Sequence, residues 1–281
     1  MPSVRTLLLT SLAMIAFALN SLLCRIALRD TGIDAASFTS VRLVSGALML
    51  WLIVRLRGGT AVGTGTWPSA IALFAYAAAF SFAYLSLSAA TGALLLFGAV
   101  QVTMIGHGLC KGERLRGAQL AGFVVAAAGL VGLLLPGLSA PPLHGAALML
   151  AAGVAWGVYS LRGRGMGDPT RVTAGNFLRT VPITALLSLF LIGDARLDGE
   201  GLMYAVASGA LASAIGYAIW YSALPALRAA TAATVQLSVP VIAAFGGVML
   251  LGEPITLRLM VASIAILGGI ALVIGGKAAG T

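Results

Sequence analysis

The sequence predicts an all-α integral membrane protein of ten transmembrane helices, built as two inverted five-helix repeats around a central cavity. Three observations carry that expectation: the composition, the placement of the charges, and an internal repeat. Of the 281 residues, 60% are apolar and only 9% are charged, with a mean hydropathy of +1.04. A soluble domain is about a quarter charged. The composition therefore excludes a soluble enzyme and a disordered chain. The 36 glycines follow no triplet period, which excludes a collagen-like one. Cys24 and Cys110 lie inside apolar runs and suggest no disulfide framework.

The elements follow from the gaps between charges. Residues 58–110 contain no Asp, Glu, Lys or Arg, and neither do residues 117–161. A membrane-spanning helix needs roughly 20 apolar residues. Each stretch therefore holds two helices and a short connection. The first breaks at Ser88 to Thr91. The second breaks at Pro136 to Pro142, where three prolines and a glycine end one helix before His144 opens the next. The same ruler gives ten segments: 4–28, 35–56, 67–87, 91–110, 116–135, 144–162, 172–192, 201–224, 230–251 and 256–275. The first has no small-residue cleavage pattern before Cys24 and is read as a retained helix, not a signal peptide.

Net charge is +9. A basic balance can mean nucleic acid, but no basic cluster with interleaved aromatics is present, so none is expected. Topology explains the charge instead. With the N-terminus inside and sides alternating, eleven Lys and Arg fall in inner loops and ends. Only Arg29, Arg196 and Arg258 fall outside, and Arg25, Arg42 and Arg179 fall within segments. This is the asymmetry of the positive-inside rule, and it places both termini in the cytoplasm.

Sliding the chain by 140 residues brings Thr91 onto Thr231, Gly106 onto Gly246, Gly112-Glu113 onto Gly252-Glu253, and Gly129 onto Gly269. With small offsets, Phe17-x-x-Asn20 meets Trp156-x-x-Tyr159, and Val41-Arg42 meets Leu178-Arg179. The expected units are residues 1–140 and 141–281. Five spans is an odd number, so the second unit crosses the membrane in the opposite sense. Inverted repeats are the architecture of secondary transporters, which open a central site to one side and then the other.

The ten-helix pattern and its two Gly-Glu turns resemble the EamA-type branch of the drug/metabolite transporter superfamily. So do Ala155-Trp156-Gly157, Tyr217 to Leu224, and Val239-Pro240 followed by Leu251-Gly252-Glu253-Pro254. The resemblance covers nearly the whole chain. It implies a basket of ten helices around a cavity, and export of amino acids or related small metabolites across the bacterial inner membrane. Within the branch the chain is most similar to the aromatic amino-acid exporters. It departs from the pattern at Val100-Gln101, where one of two mid-helix prolines is missing, and at Phe17-Ala18, where Trp-Gly is common.

Polar groups retained in hydrocarbon usually face the bundle interior. Asn20, Gln101, Tyr159 and Gln236 are the candidates to line the cavity; the amides of Gln101 and Gln236 both donate and accept hydrogen bonds. Their alternative role is to bond packed helices together. Phe80 and Tyr84, four apart on one helix face, together with Trp156 and Tyr217, would supply an aromatic wall for an apolar side chain. Tyr76 and Trp220 fit interfacial packing better. Arg42 and Arg179 are possible charge partners for a carboxylate, or else bond backbone carbonyls. His107 could respond to pH, although its place one turn from a helix end suits a structural role. Pro240 removes one backbone hydrogen bond and marks a hinge. Glu113 and Glu253 are read as caps at helix starts, with Pro254 in a first turn.

Absences bound the function. No Asp or Glu lies in the middle of a segment, so a carboxylate proton relay is not expected and facilitated export stays open. No phosphate-binding Gly-Lys-[Ser/Thr] loop is present, so the chain itself does not use ATP. No catalytic constellation, metal site or cofactor is expected. The expected partners are a small-molecule substrate and membrane lipid, with the chain working as a monomer. Rival readings are a drug or nucleotide-sugar carrier of the same superfamily, and an intramembrane lipid-modifying enzyme.

Overall fold

A computed structural model describes residues 4–60, 64–112, 117–137, 139–163, 166–227 and 229–278. Among them the chain forms ten helical spans. They are α1 (Val4–Asp30), α2 (Ala35–Leu56), α3 (Trp67–Tyr84), α4 (Ala89–Cys110), α5 (Ala118–Leu134), α6 (Leu143–Arg162) and α7 (Pro169–Phe190). After these come α8 (Gly199–Ala226), α9 (Ala229–Gln236 continued by Ser238–Leu251) and α10 (Leu257–Ala278). Nine spans are long and apolar enough to cross a membrane; α5, with 17 residues, is the short one. At 1.5 Å per residue it still reaches about 25 Å, close to the thickness of the hydrocarbon layer.

Side-chain caps fix where several helices start. The carboxylate of Asp34 accepts the N–H groups of Ala36 and Ser37, each at 2.9 Å, to open α2. Thr66, Ser88, Asp168 and Asp198 do the same for α3, α4, α7 and α8. Ser88 is the break expected in the first neutral stretch. Two expectations at the last turn are corrected. Pro254 lies in the loop ahead of α10, not in its first turn, because Thr256 accepts the Leu259 N–H and starts the helix there. Glu253 caps a different helix, as described below, while Glu113 lies outside the described residues.

Two helices are irregular. In α8, nine residues, Ala207–Ile215, are π-helical. In α9 the helix breaks at Leu237, three residues before Pro240. Pro240 has no N–H for the Gln236 carbonyl, and its ring crowds that group. The break therefore falls where the proline demands.

Neighbours repeat across the bundle. α3 and α4 pack on α6, as α8 and α9 pack on α1; α3 packs on α7 as α8 packs on α2. α2–α7, α4–α9 and α5–α10 map onto themselves. Exchanging each helix with the one five later thus preserves these pairs. Small residues let backbones close: a Cβ on Gly122 would sit 2.5 Å from the Gly269 carbonyl oxygen, and a Cβ on Gly269 would likewise meet that of Gly122. In lipid such contact, not water exclusion, holds helices together. The outside of the bundle is apolar, with Phe190 84%, Ile264 75% and Phe245 68% exposed, as a lipid-facing surface requires.

Candidate functional site

Six helices converge on a central pocket: α1, α3 and α4, and their counterparts α6, α8 and α9. It is lined by Phe17, Asn20 and Ser21 of α1, Tyr76 and Phe80 of α3, and Leu96 and Phe97 of α4. Trp156 of α6, Ala212, Ser213 and Tyr217 of α8, and Gln236 of α9 complete it. The void measures about 20 Å³, room for little more than one water. Its rings fill it. Trp156 stacks on Tyr217 with centroids 5.2 Å apart and meets Tyr76 at 4.9 Å. Phe17 meets Tyr217 at 5.7 Å. An aromatic wall is thus in place, in a closed arrangement.

A polar chain runs through one side. Ser208 donates to Asn20 Oδ1 at 2.6 Å, and Asn20 Nδ2 donates to the Tyr76 hydroxyl at 3.3 Å. Arg42 Nη2 donates to the same hydroxyl at 3.0 Å. The Arg42 guanidinium lies over the Phe80 and Tyr76 rings, 4.8 and 5.3 Å from their centroids. Arg42 is only 2% exposed, and its Nη1 has no partner. The π-helical turn of α8 makes this approach possible. Gly209 sits against the Arg42 carbonyl and the Ser45 hydroxyl, with no room for a Cβ. The i to i+5 spacing of that turn puts Ser208 on Asn20 and Ser213 at the pocket.

Of the residues singled out in the sequence, Asn20, Phe80, Trp156, Tyr217 and Gln236 line the pocket. Gln101 is buried one turn beyond Phe97, and its Nε2 is unpartnered. Tyr84 and Tyr159 are not in the lining. Tyr84 meets Phe80 edge to face at 4.8 Å, and its hydroxyl donates to the Ala89 carbonyl, towards one end of the bundle. Tyr159 lies behind Trp156 and accepts from Asn176 at 3.5 Å. Arg179 does not mirror Arg42: its Nη1 bonds the carbonyls of Thr64 and Gly175, tying α7 to the α2–α3 connection. His107 is exposed at the end of α4, away from the pocket. Tyr76, expected at an interface, is 5% exposed and central. Phe97 and Ser213 carried no signal beyond apolar or small character. Among the described residues no His, Cys, Asp or Glu cluster could hold a metal.

The bundle end formed by the last turns of α1, α3 and α9 is locked by charge. Arg25 Nε pairs with Glu253 Oε1 at 2.9 Å, and Arg25 Nη1 donates to the Tyr84 carbonyl at 2.8 Å. Glu253 Oε2 accepts the Ala89 N–H at 2.7 Å, which places a carboxylate at the positive end of α4. Gly252, with φ +60, makes the left-handed turn that brings Glu253 back beneath α9. Beside this lock lies a vestibule of about 410 Å³, lined among others by Arg25, Arg29, Ser88, Ser139 and Glu253.

A basket of ten apolar helices around a closed aromatic pocket is the form of a multi-pass membrane carrier, and sequence comparison names its kind. Residues 143–275, from α6 into the last turn of α10, match the EamA-like transporter family. A protein of Pseudomonas aeruginosa is 63% identical over 275 residues, covering 98% of this chain and 96% of that one. An uncharacterized transporter of Archaeoglobus fulgidus is 28% identical over 269 residues, covering 89% and 90%. The threonine/homoserine exporter RhtA of Salmonella typhimurium is 35% identical over 120 residues, 41% of this chain and 39% of that one. One solved crystal structure superposes with a TM-score of 0.67 over 97% of this chain and 98% of that one, at 21% identity, a likeness of fold. The chain belongs to the EamA-like transporter family of the drug/metabolite transporter superfamily, and it is a multi-pass membrane transporter.

Proposed function

We propose that this transporter exports amino acids, aromatic and other neutral ones, or related small metabolites from the bacterial cytoplasm. It works by alternating access in one chain within the inner membrane, with both termini inside. The observation that carries the reading is the origin of the pocket. Its lining comes from α1, α3 and α4 and from the three helices five places later, so each half supplies the same set. Residues 1–140 and 141–281 are then the two moving units. The family match over residues 143–275 alone, one five-helix unit, supports that division.

Alternating access needs one route closed while the other opens. The Arg25–Glu253 pair ties α1 to the α9–α10 loop and to the start of α4, elements of both halves. By the alternation of the spans this end is extracellular, so the pair acts as the outer gate. Substrates that fit are small, partly apolar and without strong positive charge. A nucleotide sugar fits poorly, because its two phosphates call for several cations, and Arg42 is the one guanidinium in contact with lining residues among those described. The exporter named among the relatives handles threonine and homoserine, which supports including these in the substrate panel.

The test is flux. The purified chain is reconstituted in vesicles and offered labelled phenylalanine, tryptophan, leucine, threonine and homoserine. Saturable, protein-dependent movement of at least one supports the proposal. Movement no faster than in protein-free vesicles for all of them refutes it.

A further inference from the structure

A cation without an anion stands against the pocket wall, in contact with the lining residues Tyr76 and Phe80. Arg42 is buried, and its charge is offset by the faces of Tyr76 and Phe80 and by one hydroxyl. No carboxylate reaches it: the ion pairs among the described residues are Arg25–Glu253 and Arg29–Asp30. Other arginines in the bundle are satisfied. Arg25 and Arg29 hold carboxylates, and Arg179 holds two carbonyls. A guanidinium with a free nitrogen in hydrocarbon is costly unless something completes it.

The hydrogen-bonding capacity at the Arg42–Tyr76 contact itself is left to donors. The Tyr76 hydroxyl already accepts from Arg42 and from Asn20, so both its lone pairs are used and its own hydrogen is left to donate. Asn20 Oδ1 is occupied by Ser208. Ser213 lines the pocket, is 2% exposed, and its hydroxyl has no partner. Arg42 Nη1 is likewise unpartnered. The free Arg42 nitrogen, the Tyr76 hydrogen and the hydroxyls of Ser213 and Ser21, each able to donate, suit a group that accepts and carries negative charge. No Asp or Glu lines the pocket to meet an ammonium. Two of the ring faces that could attract one already carry Arg42.

We infer that the pocket reads a carboxylate through Arg42, Tyr76 and Ser213, and that the amine of an amino acid is dispensable for binding. The substrate class is then small carboxylic acids with a partly apolar body, amino acids being one subset. This rests on the transport reading for its biological sense, but binding can be measured without flux.

The experiment titrates the full chain in detergent micelles by calorimetry with three matched series. They are L-phenylalanine, 3-phenylpropionate and phenethylamine; L-leucine, 4-methylpentanoate and 3-methylbutylamine; L-threonine, 3-hydroxybutanoate and 1-amino-2-propanol. The expected result is that in at least one series the acid binds within about tenfold of the amino acid and the amine does not bind detectably, since charge-assisted contacts outweigh neutral ones. Arg42→Gln should weaken the acid about tenfold or more, with Arg42→Lys intermediate. Tyr76→Phe and Ser213→Ala, which keep shape and charge, should each weaken it several-fold, so the idea stays testable if Arg42→Gln fails to fold. Amine binding equal to the acid overturns it. So does an acid that fails where its amino acid binds, or absence of binding in all three series. Carboxylate binding without flux would sink the transport proposal and leave this one standing. Flux with a preference for amines would do the reverse.

Discussion

Tyr76 shows how one side chain can be misplaced by a sound rule. Tyrosines near helix ends favour membrane interfaces, yet this one lies mid-helix and accepts hydrogen bonds from two other helices. Asn20 was legible because an amide in hydrocarbon must find partners, and it finds Ser208 and Tyr76. Asn20→Ala would leave Ser208 without its acceptor, so we expect a loss of about 1–3 kcal/mol, seen as a lower melting temperature in detergent, together with reduced flux. An unchanged melting temperature would show that the chain is not structural. Asp34 gives a pH prediction outside the membrane. Partial burial pushes its carboxyl up, but hydrogen bonds from Ser37, Arg196 and Ala36 outweigh that and hold it below the usual range. A lowered folded pKa stabilises above the unfolded value of about 3.9 and is lost as pH falls through the folded one. Asp34→Ala should therefore melt lower by about 1 kcal/mol at neutral pH, a gap that narrows below about pH 4.

At the scale of elements, α8 and α9 carry the irregularities. The missing N–H of Pro240 alone marks a hinge in the sequence, and the helix does break one turn before it. Pro240→Ala should let α9 run straight. We expect a higher melting temperature and slower flux; faster flux would mean the break is not used for movement. The π-helical turn of α8 had no signal. Ala207–Ile215 reads as ordinary apolar helix, and only the packing of Gly209 onto α2 and the bond from Ser208 to Asn20 select the wider turn. The α5–α10 pair depends on backbone contact at Gly122 and Gly269. Gly122→Leu should force the two helices apart and lower stability by about 1–3 kcal/mol, as overpacking does, measured by thermal unfolding.

For the whole molecule, the proposed outer gate predicts that the Arg25–Glu253 pair controls access from the vestibule to the pocket. Glu253→Gln keeps the shape and removes the charge. In a background with Cys110→Ser, a Ser213→Cys probe should react several-fold faster with an impermeant thiol reagent when Glu253→Gln is present. Equal rates would exclude the pair as a gate. Neither partner could be placed from the sequence. Arg25 looked like a cation inside a segment and Glu253 like a cap for its own helix, because 228 residues of chain separate the two.

By itself the sequence determined the number of spans, the all-helical class and the family, since each is written in local terms: runs of apolar residues, gaps between charges, and short motifs at fixed spacing. It also marked Asn20, Trp156, Tyr217 and Gln236, because a polar or aromatic group in hydrocarbon is conspicuous wherever it stands. Only the tertiary structure decided that Arg42 faces Tyr76 while Arg179 is spent on carbonyls, and that Tyr84 and Tyr159 stand behind the pocket. The physical reason is that a helix fixes which residues share a face, while packing against other helices fixes which way that face looks.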